Sequence, residues 1–239
     1  MNKVFRGFAR IGSLLRRRRF FLLGQAIANK MLPSCVLRMN QTILYKLSRK
    51  SCCSEGNNAN IEVFRGDRQS VRKMVRDLYN NDPKTLAFYE HFYEQGFEPW
   101  IAQQGNVAVG VVWLFTDSYL AVWEGYDAWL LRFYADPGAK FLGNAFVSPQ
   151  RRGQGLFTLM TNCCLTTYPE ADFYSTVEAT NTPSILSHKK IGFQPCGTVR
   201  SIRFFQQAFC LVVWKRRIIG LFRLRKGKET DITLSDNNP

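Results

Sequence analysis

The chain has 239 residues, 46% hydrophobic and 14% aromatic, which suits one good-sized domain with a real core. Its net charge of +15 sits at the ends: 12 basic residues against one acidic over 1–60 (+11), 13 against 14 over 61–200 (−1), and 8 against 3 over 201–239 (+5). The neutral middle argues against a nucleic-acid-binding fold, seven cysteines without a CxxC spacing and two histidines argue against a metal site, and the early apolar run FFLLGQAIA is too short to cross a bilayer.

In chain order, Val4, Phe8, Ile11 and Leu15 recur at helical spacing among Lys3, Arg6, Arg10 and Arg16–Arg19, so residues 3–32 read as a basic amphipathic helix. Such a helix lies on an anionic membrane surface or docks on its own domain; an acid-free, arginine-rich start also resembles a mitochondrial transit peptide. Pro33 ends the pattern, TILYKLSRK forms a short strand, and SCCSEGNNAN reads as a linker. The folded domain is expected over 60–214, with 1–59 a basic extension and 215–239 a basic, partly disordered tail.

Within that domain IEVF is a strand. Asp67 or Ser70 caps a helix with Val71, Met74, Val75 and Leu78 on one stripe, NNDP breaks it, and a second helix spans 84–94. Strand-like runs follow from PWIAQQ to FLGNAFVSP, with Gly105-Asn106 as a hairpin turn. A helix runs from Gly155 to about Thr167, DFYSTVEAT is a strand, a helix opens at Asn181 and stops at Gly192, and two strands close the domain. The order predicts an α+β fold: a mixed, mostly antiparallel central sheet flanked by helices, with one late strand–helix–strand crossover.

The chemistry concentrates in NAFVSPQRRGQGLF, residues 144–157. A strand ends at Val147, and a turn holding Arg151, Arg152, Gly153, Gln154 and Gly155 leads into a helix at Leu156 and Phe157. Glycines leave the backbone uncovered, unpaired N–H groups at a helix start favour an anion, and the arginines add charge. The loop lacks the Walker lysine and the third Rossmann glycine. On these residues alone it binds a phosphate or is a tight strand–helix turn.

QRRGQG also resembles the Q/R-x-x-G-x-G/A signature of the GNAT superfamily of acyl-CoA-dependent N-acyltransferases, and NTPSILSHKKIGF resembles that superfamily's second hallmark. The resemblance spans about residues 60–205. It implies a GNAT-like fold, with backbone amides from Arg152 to Phe157 around the diphosphate of acetyl-CoA or another acyl-CoA. It implies a pantetheine arm along Phe146, Val147 and Ser148, a polarising N–H near Val147, and Asn181 and Ser184 beside the ligand. The implied reaction is direct attack by an amine on the thioester, with no metal. A Tyr that protonates the thiolate in many members is replaced by His188, and the Glu often found on the strand before the signature by Asn144, which orients but takes no proton at pH 7. Glu124 and Glu178 are the remaining base candidates. Each of these side chains has a plain structural reading too: His188 as a packed histidine, the glutamates as surface charges.

The cysteines, with an odd count and two adjacent pairs, read as reduced thiols of a cytoplasmic protein. The expected function is acyl transfer from acetyl-CoA to an amine. The basic ends point to docking on the inner membrane face, and a loose likeness to enzymes of bacterial surface-polysaccharide biosynthesis points to an amino-sugar or lipid-linked acceptor. The alternative is a non-catalytic module that binds CoA, RNA or membrane. Trp113, Phe115, Trp123 and Trp129 line an acyl tunnel or belong to the core.

Overall fold

The computed structural model of the chain describes residues 20–31, 37–48, 60–122, 129–204, 207–215, 217–224 and 228–234. The amphipathic pattern before residue 20, the polar stretch 49–59, Glu124 and Trp123 lie outside them.

Helix α1 spans Phe20–Met31 and strand β1 Leu37–Leu47. Strand β2 (Glu62–Arg65) leads to α2 (Arg68–Tyr79) and α3 (Pro83–Glu94). Asp67 is the cap of α2, accepting from the Ser70 N–H at 2.7 Å, and Asp82 caps α3 the same way through Thr85 at 2.8 Å. Between the helices Asn80 and Asn81 adopt φ of 53° and 57°, a left-handed turn that asparagine tolerates. Then come β3 (Glu98–Gln104), β4 (Val107–Thr116), β5 (Ser118–Val122), β6 (Trp129–Tyr134) and β7 (Lys140–Val147). The last part holds α4 (Leu156–Thr167), β8 (Phe173–Glu178), α5 (Thr182–Ile191), β9 (Gln194–Phe204), β10 (Gln207–Trp214), β11 (Arg217–Leu224) and β12 (Lys228–Thr233).

Nine strands form one sheet in the order β11-β10-β9-β1-β8-β7-β4-β3-β2, and β12-β6-β5 form a second, smaller sheet. The fold is α+β and the large sheet mostly antiparallel, with β7 and β8 parallel across the α4 crossover. Pleating divides the core into two faces. Val112, Leu114, Leu142 and Val177 pack under Leu156 and Met160 of α4 and Ile191 of α5. Val111, Trp113, Phe115 and Phe141 face the other way, under Val71, Met74 and Val75 of α2, Tyr89 and Phe92 of α3, and the small sheet. Trp113 and Phe115 are completely buried here, stacked or edge-on to Tyr89, Phe92 and Tyr119, so they are core and line no tunnel.

Two boundaries differ from the sequence expectation. The supposed extension supplies β1, which pairs antiparallel with β8 over Thr42–Leu47 and with β9 over Leu37–Lys46. Leu44, Tyr45 and Leu47 are buried, because a strand with a neighbour on each side and core on each face must be apolar on both. The supposed tail continues the fold: β11 pairs with β10 as the edge of the large sheet, and β12 pairs with β6. The folded unit therefore begins before residue 60 and ends after 214.

Candidate active site

Strands β7 and β8 pair over three positions, ending at Leu142 opposite Ser175. Beyond them β7 bulges. Trp113 of β4 pairs with Gly143 and Val111 with Phe146, so Val112 opposes both Asn144 and Ala145. Asn144 takes the left-handed residue of this bulge, at φ 47°. Bulges bend a strand and sharpen its twist, so β7 leaves β8 here, while β8 stays paired to β1 out to Glu178. The result is a fork, with its apex at Leu142–Ser175 and its arms at 143–147 and 176–178. Ser148 donates its N–H to Val109 O at 3.0 Å, on the β4 side. Adjacent residues of a strand point their amides opposite ways, so the Val147 N–H faces the fork.

The mouth of the fork is the loop. Pro149–Arg151 form a 3-10 turn, and α4 starts after Gly155. Gly153 and Gly155 have φ of 81° and 79°, and a Cβ on either would meet no protein atom within 4 Å. Glycine here supplies the left-handed turn and leaves the outer side of the loop open. The first bond into α4 is from the Leu159 N–H to Gly155 O at 3.0 Å. No side chain caps the helix and its first turn has no acidic residue. The amides of Gly155 to Thr158 thus face outward at the positive end of the helix dipole, and Leu156, 2% exposed, anchors them from beneath. Arg152 donates from Nε to Val147 O at 3.2 Å and lies over the Phe146 ring, which also packs on Tyr79. Gln154 donates to Gln150 O at 3.3 Å. Arg151, half-buried, closes the 3-10 turn. These features fit an anionic diphosphate at the mouth and an extended arm in the fork.

The second hallmark opens α5 and packs its histidine. Asn181 is the cap of α5, its Oδ1 accepting from the Ser184 N–H at 3.2 Å. His188 is 2% exposed. Its Nδ1 lies 2.8 Å from Ser184 O, which can only accept, so Nδ1 carries the proton. Its Nε2 lies 2.9 Å from Ser175 Oγ, which also reaches Leu142 O at 3.0 Å. Tyr45, Phe157 and Phe193 enclose the ring. Burial pushes the imidazole pKa below its ordinary value. The imidazolium expected to protonate a thiolate is therefore not what stands here. A neutral histidine, held between α5 and β8, braces the apex through Ser175.

The sign of the pH effect follows from that burial. Below the ordinary histidine pKa of about 6.5 the unfolded chain takes up a proton that the fold resists, so this site's contribution is present above that pH and declines as pH falls through the lowered folded value. Between pH 7 and pH 5 the wild type is expected to lose up to ~1.4 kcal/mol more per pH unit than His188→Gln. Urea melts across that range check this; parallel slopes would show that His188 titrates as in water.

Of the base candidates, Glu178 stands exposed at the open end of β8, with Thr176 and Tyr174 on the face away from α4 and α5. Asn40 of β1 donates to it at 3.4 Å. Glu124 lies outside the described residues. Asn144 is the left-handed residue of the β7 bulge. Two residues that the sequence reading did not single out also reach the apex: Ser175 on the α5 face, and Tyr119 of the small sheet on the other, against Gly143. The glycine inside FLGNAFV was their one sequence signal, since a strand glycine marks close approach. Among the described residues no cluster of His, Cys, Asp and Glu is placed to hold a metal, and no helix is long and apolar enough to cross a membrane.

The chain is similar to several solved structures. A conserved protein of unknown function from Staphylococcus epidermidis is 12% identical, with a TM-score of 0.51 over 76% of this chain and 66% of its own. A Drosophila protein is 16% identical, with a TM-score of 0.49 over 80% and 57%, and a GNAT-family acetyltransferase from Colwellia psychrerythraea is 13% identical, with a TM-score of 0.43 over 71% and 56%. The chain spans between about half and two thirds of the length of these proteins. No curated protein matches the sequence. The profile of the acetyltransferase (GNAT) family matches residues 68–193, more than half of the chain and the whole run from α2 through α5. This protein belongs to the GNAT acetyltransferase family.

Proposed function

We propose that the protein transfers an acyl group from acetyl-CoA, or another acyl-CoA, directly to an amine. One observation carries this reading: uncapped amides at the start of α4 open onto a fork whose β7 arm is unpaired on the side of β8. The amides of Gly155 to Thr158, with Arg151 and Arg152, bind the diphosphate. Val147 pairs the pantetheine arm near the mouth. The bulged main chain at Asn144 and Ala145 faces the thioester and offers an amide to the oxygen on which charge develops. Glu178, at the open end of β8, accepts the proton that a charged amine must lose before attack.

The acceptor is proposed to be an amino-sugar or a lipid-linked amine at a membrane surface. Support comes from charge: the ends of the chain carry +11 and +5 around a neutral middle. Near an anionic leaflet each basic residue contributes about 1 kcal/mol.

Thiol release from acetyl-CoA with glucosamine, an aliphatic polyamine and hydroxylamine tests the reaction. Enzyme-dependent release with at least one amine is the expected result; CoA binding without release from any amine would favour a binding module. Glu178→Gln is expected to lower kcat on the order of 10–100-fold with amines that are charged at pH 7, and far less with hydroxylamine, which is already neutral. An equal loss with both kinds of amine would remove Glu178 as the base.

A further inference from the structure

We propose that the groove between α1 and α5 binds one anionic phospholipid of a membrane surface, with its phosphate at Arg200, at a site separate from the fork. The groove encloses about 1030 Å³, at the upper end of ligand-site volumes. Its floor is sheet: Ile43, Thr198 and Val213 lie side by side in register across β1, β9 and β10. Phe21 and Leu22 of α1 form one wall, and Ile185 and Lys189 of α5 form the other. His188 of the same helix turns instead to Ser175 at the fork apex, so α5 stands between the two sites.

Charge sets the sign of the occupant. Lys189, Arg200 and Lys215 line the groove, and among the described residues no acidic side chain does. Arg200 marks one end, its Nε donating to Gln41 Oε1 at 3.3 Å and its guanidinium over the Phe21 ring at 5.2 Å. Lys215 marks the other end, its main-chain N–H on Cys196 O at 2.7 Å. Four residues of β9, about 13 Å, separate Cys196 from Arg200. The Gln41 bond uses Nε alone, and the planar fork of a guanidinium suits a phosphate. Arg16–Arg19 directly precede α1 in the sequence, on the Phe21 side of the groove. Both features put the phosphate at the Arg200 end. The acyl chain then runs over Ile43 and Val213 toward the lysines, whose methylene stems cover apolar surface while their ammonium groups stay in water.

The walls favour a lipid over a peptide. Strands β1, β9 and β10 each have a neighbour on both sides, so the floor offers no bare main-chain edge for a peptide strand to join. Both wall helices also expose large apolar side chains, Ile27 and Met31 on α1 and Leu186 on α5, of the kind that enters a headgroup layer.

Calorimetry of the full chain with dihexanoyl phosphatidic acid, kept below its micelle concentration, tests this with a single soluble lipid. One lipid per chain is expected, with a Kd on the order of 10–100 µM, and saturating CoA is expected to leave that value within about twofold. Arg200→Gln removes the charge and Thr198→Phe fills the floor; each is expected to weaken binding at least about tenfold. Melting transitions report folding, and either folded variant decides the matter alone. Dihexanoyl phosphatidylcholine, with no net charge, is expected to bind at least about tenfold more weakly than the acid. No saturable binding, an unchanged Kd in a folded variant, competition by CoA, or equal affinity for both lipids would overturn the assignment. Laurate bound more tightly than the phospholipid would make the occupant a free fatty anion, and an acidic amphipathic peptide bound in place of lipid would make the groove a protein surface; each overturns it too. None of these readouts uses acyl transfer, so a failure here is distinct from a failure of that reading.

Discussion

Gly155→Glu is expected to weaken CoA binding by at least about 100-fold, which is ~2.7 kcal/mol, with the melting transition nearly unchanged. The left-handed φ of 79° disfavours a side chain by about 1–2 kcal/mol. Two features soften that penalty in the folded protein. A Cβ there meets no protein atom within 4 Å, and a carboxylate at a helix start is favoured by the dipole by about 0.3–1 kcal/mol. What the carboxylate does instead is occupy the anion's place. It repels a diphosphate and offers its oxygens to the amides of Leu156 and Phe157. Gly155→Ala separates the causes, because it keeps the backbone strain without the charge; a loss within about tenfold is expected there. Calorimetry with CoA and thermal melts of both variants decide it. Equal affinities for wild type and Gly155→Glu would show that the diphosphate binds elsewhere.

Truncation gives the second large effect. Removing residues 2–19 is expected to leave a cooperative melt and abolish flotation with anionic vesicles, whereas removing residues 2–48 is expected to leave no folded protein. The longer deletion takes away β1, which joins β8 to β9. Three buried side chains go with it, Leu44, Tyr45 and Leu47, worth about 2 kcal/mol each, and two strands are left with bare edges. That exceeds about half of a typical domain's net stability even before the lost ladders are counted. A cooperative transition in the 49–239 fragment would show that β1 is an accessory. Vesicle binding undiminished by the shorter deletion would remove the membrane-surface reading of the basic start.

The sequence displayed the parts of this protein whose signals are local. Asp67 and Asp82 sit three residues before the amides they cap, and NNDP carries the turn between their helices. The strand–turn–helix of 144–157 announced itself through its glycines and arginines. What stayed hidden depends on partners distant in sequence. TILYKLSRK reads as a short strand, but its place between β8 and β9 rests on residues about 130 to 170 positions away. Apolar residues on both its faces, Leu44 one way and Ile43 and Tyr45 the other, were the available hint of a central strand. The last strands were masked by charge. Arg217, Arg223 and Lys228 suggest a solvated tail, yet Leu224, Ile232 and Leu234 are buried against the small-sheet side of the core.

The site shows the same division. Motif spacing located the open glycine loop before α4 and the start of α5. It did not reveal that His188 is sealed by three aromatic rings and tied to Ser175. Tyr119 reaches the fork because β5 and β6 fold back as a separate sheet, a placement that no spacing along the chain encodes.

Hydrogen exchange of individual main-chain amides, with and without CoA, tests the central claim most directly. The N–H groups of Gly155 to Thr158 and of Val147 are predicted to slow by at least about tenfold on binding, while those of β11 and β12 keep their rates. Protection confined to the groove between α1 and α5, near Arg200 and Lys189, with the start of α4 exchanging as before, would contradict it.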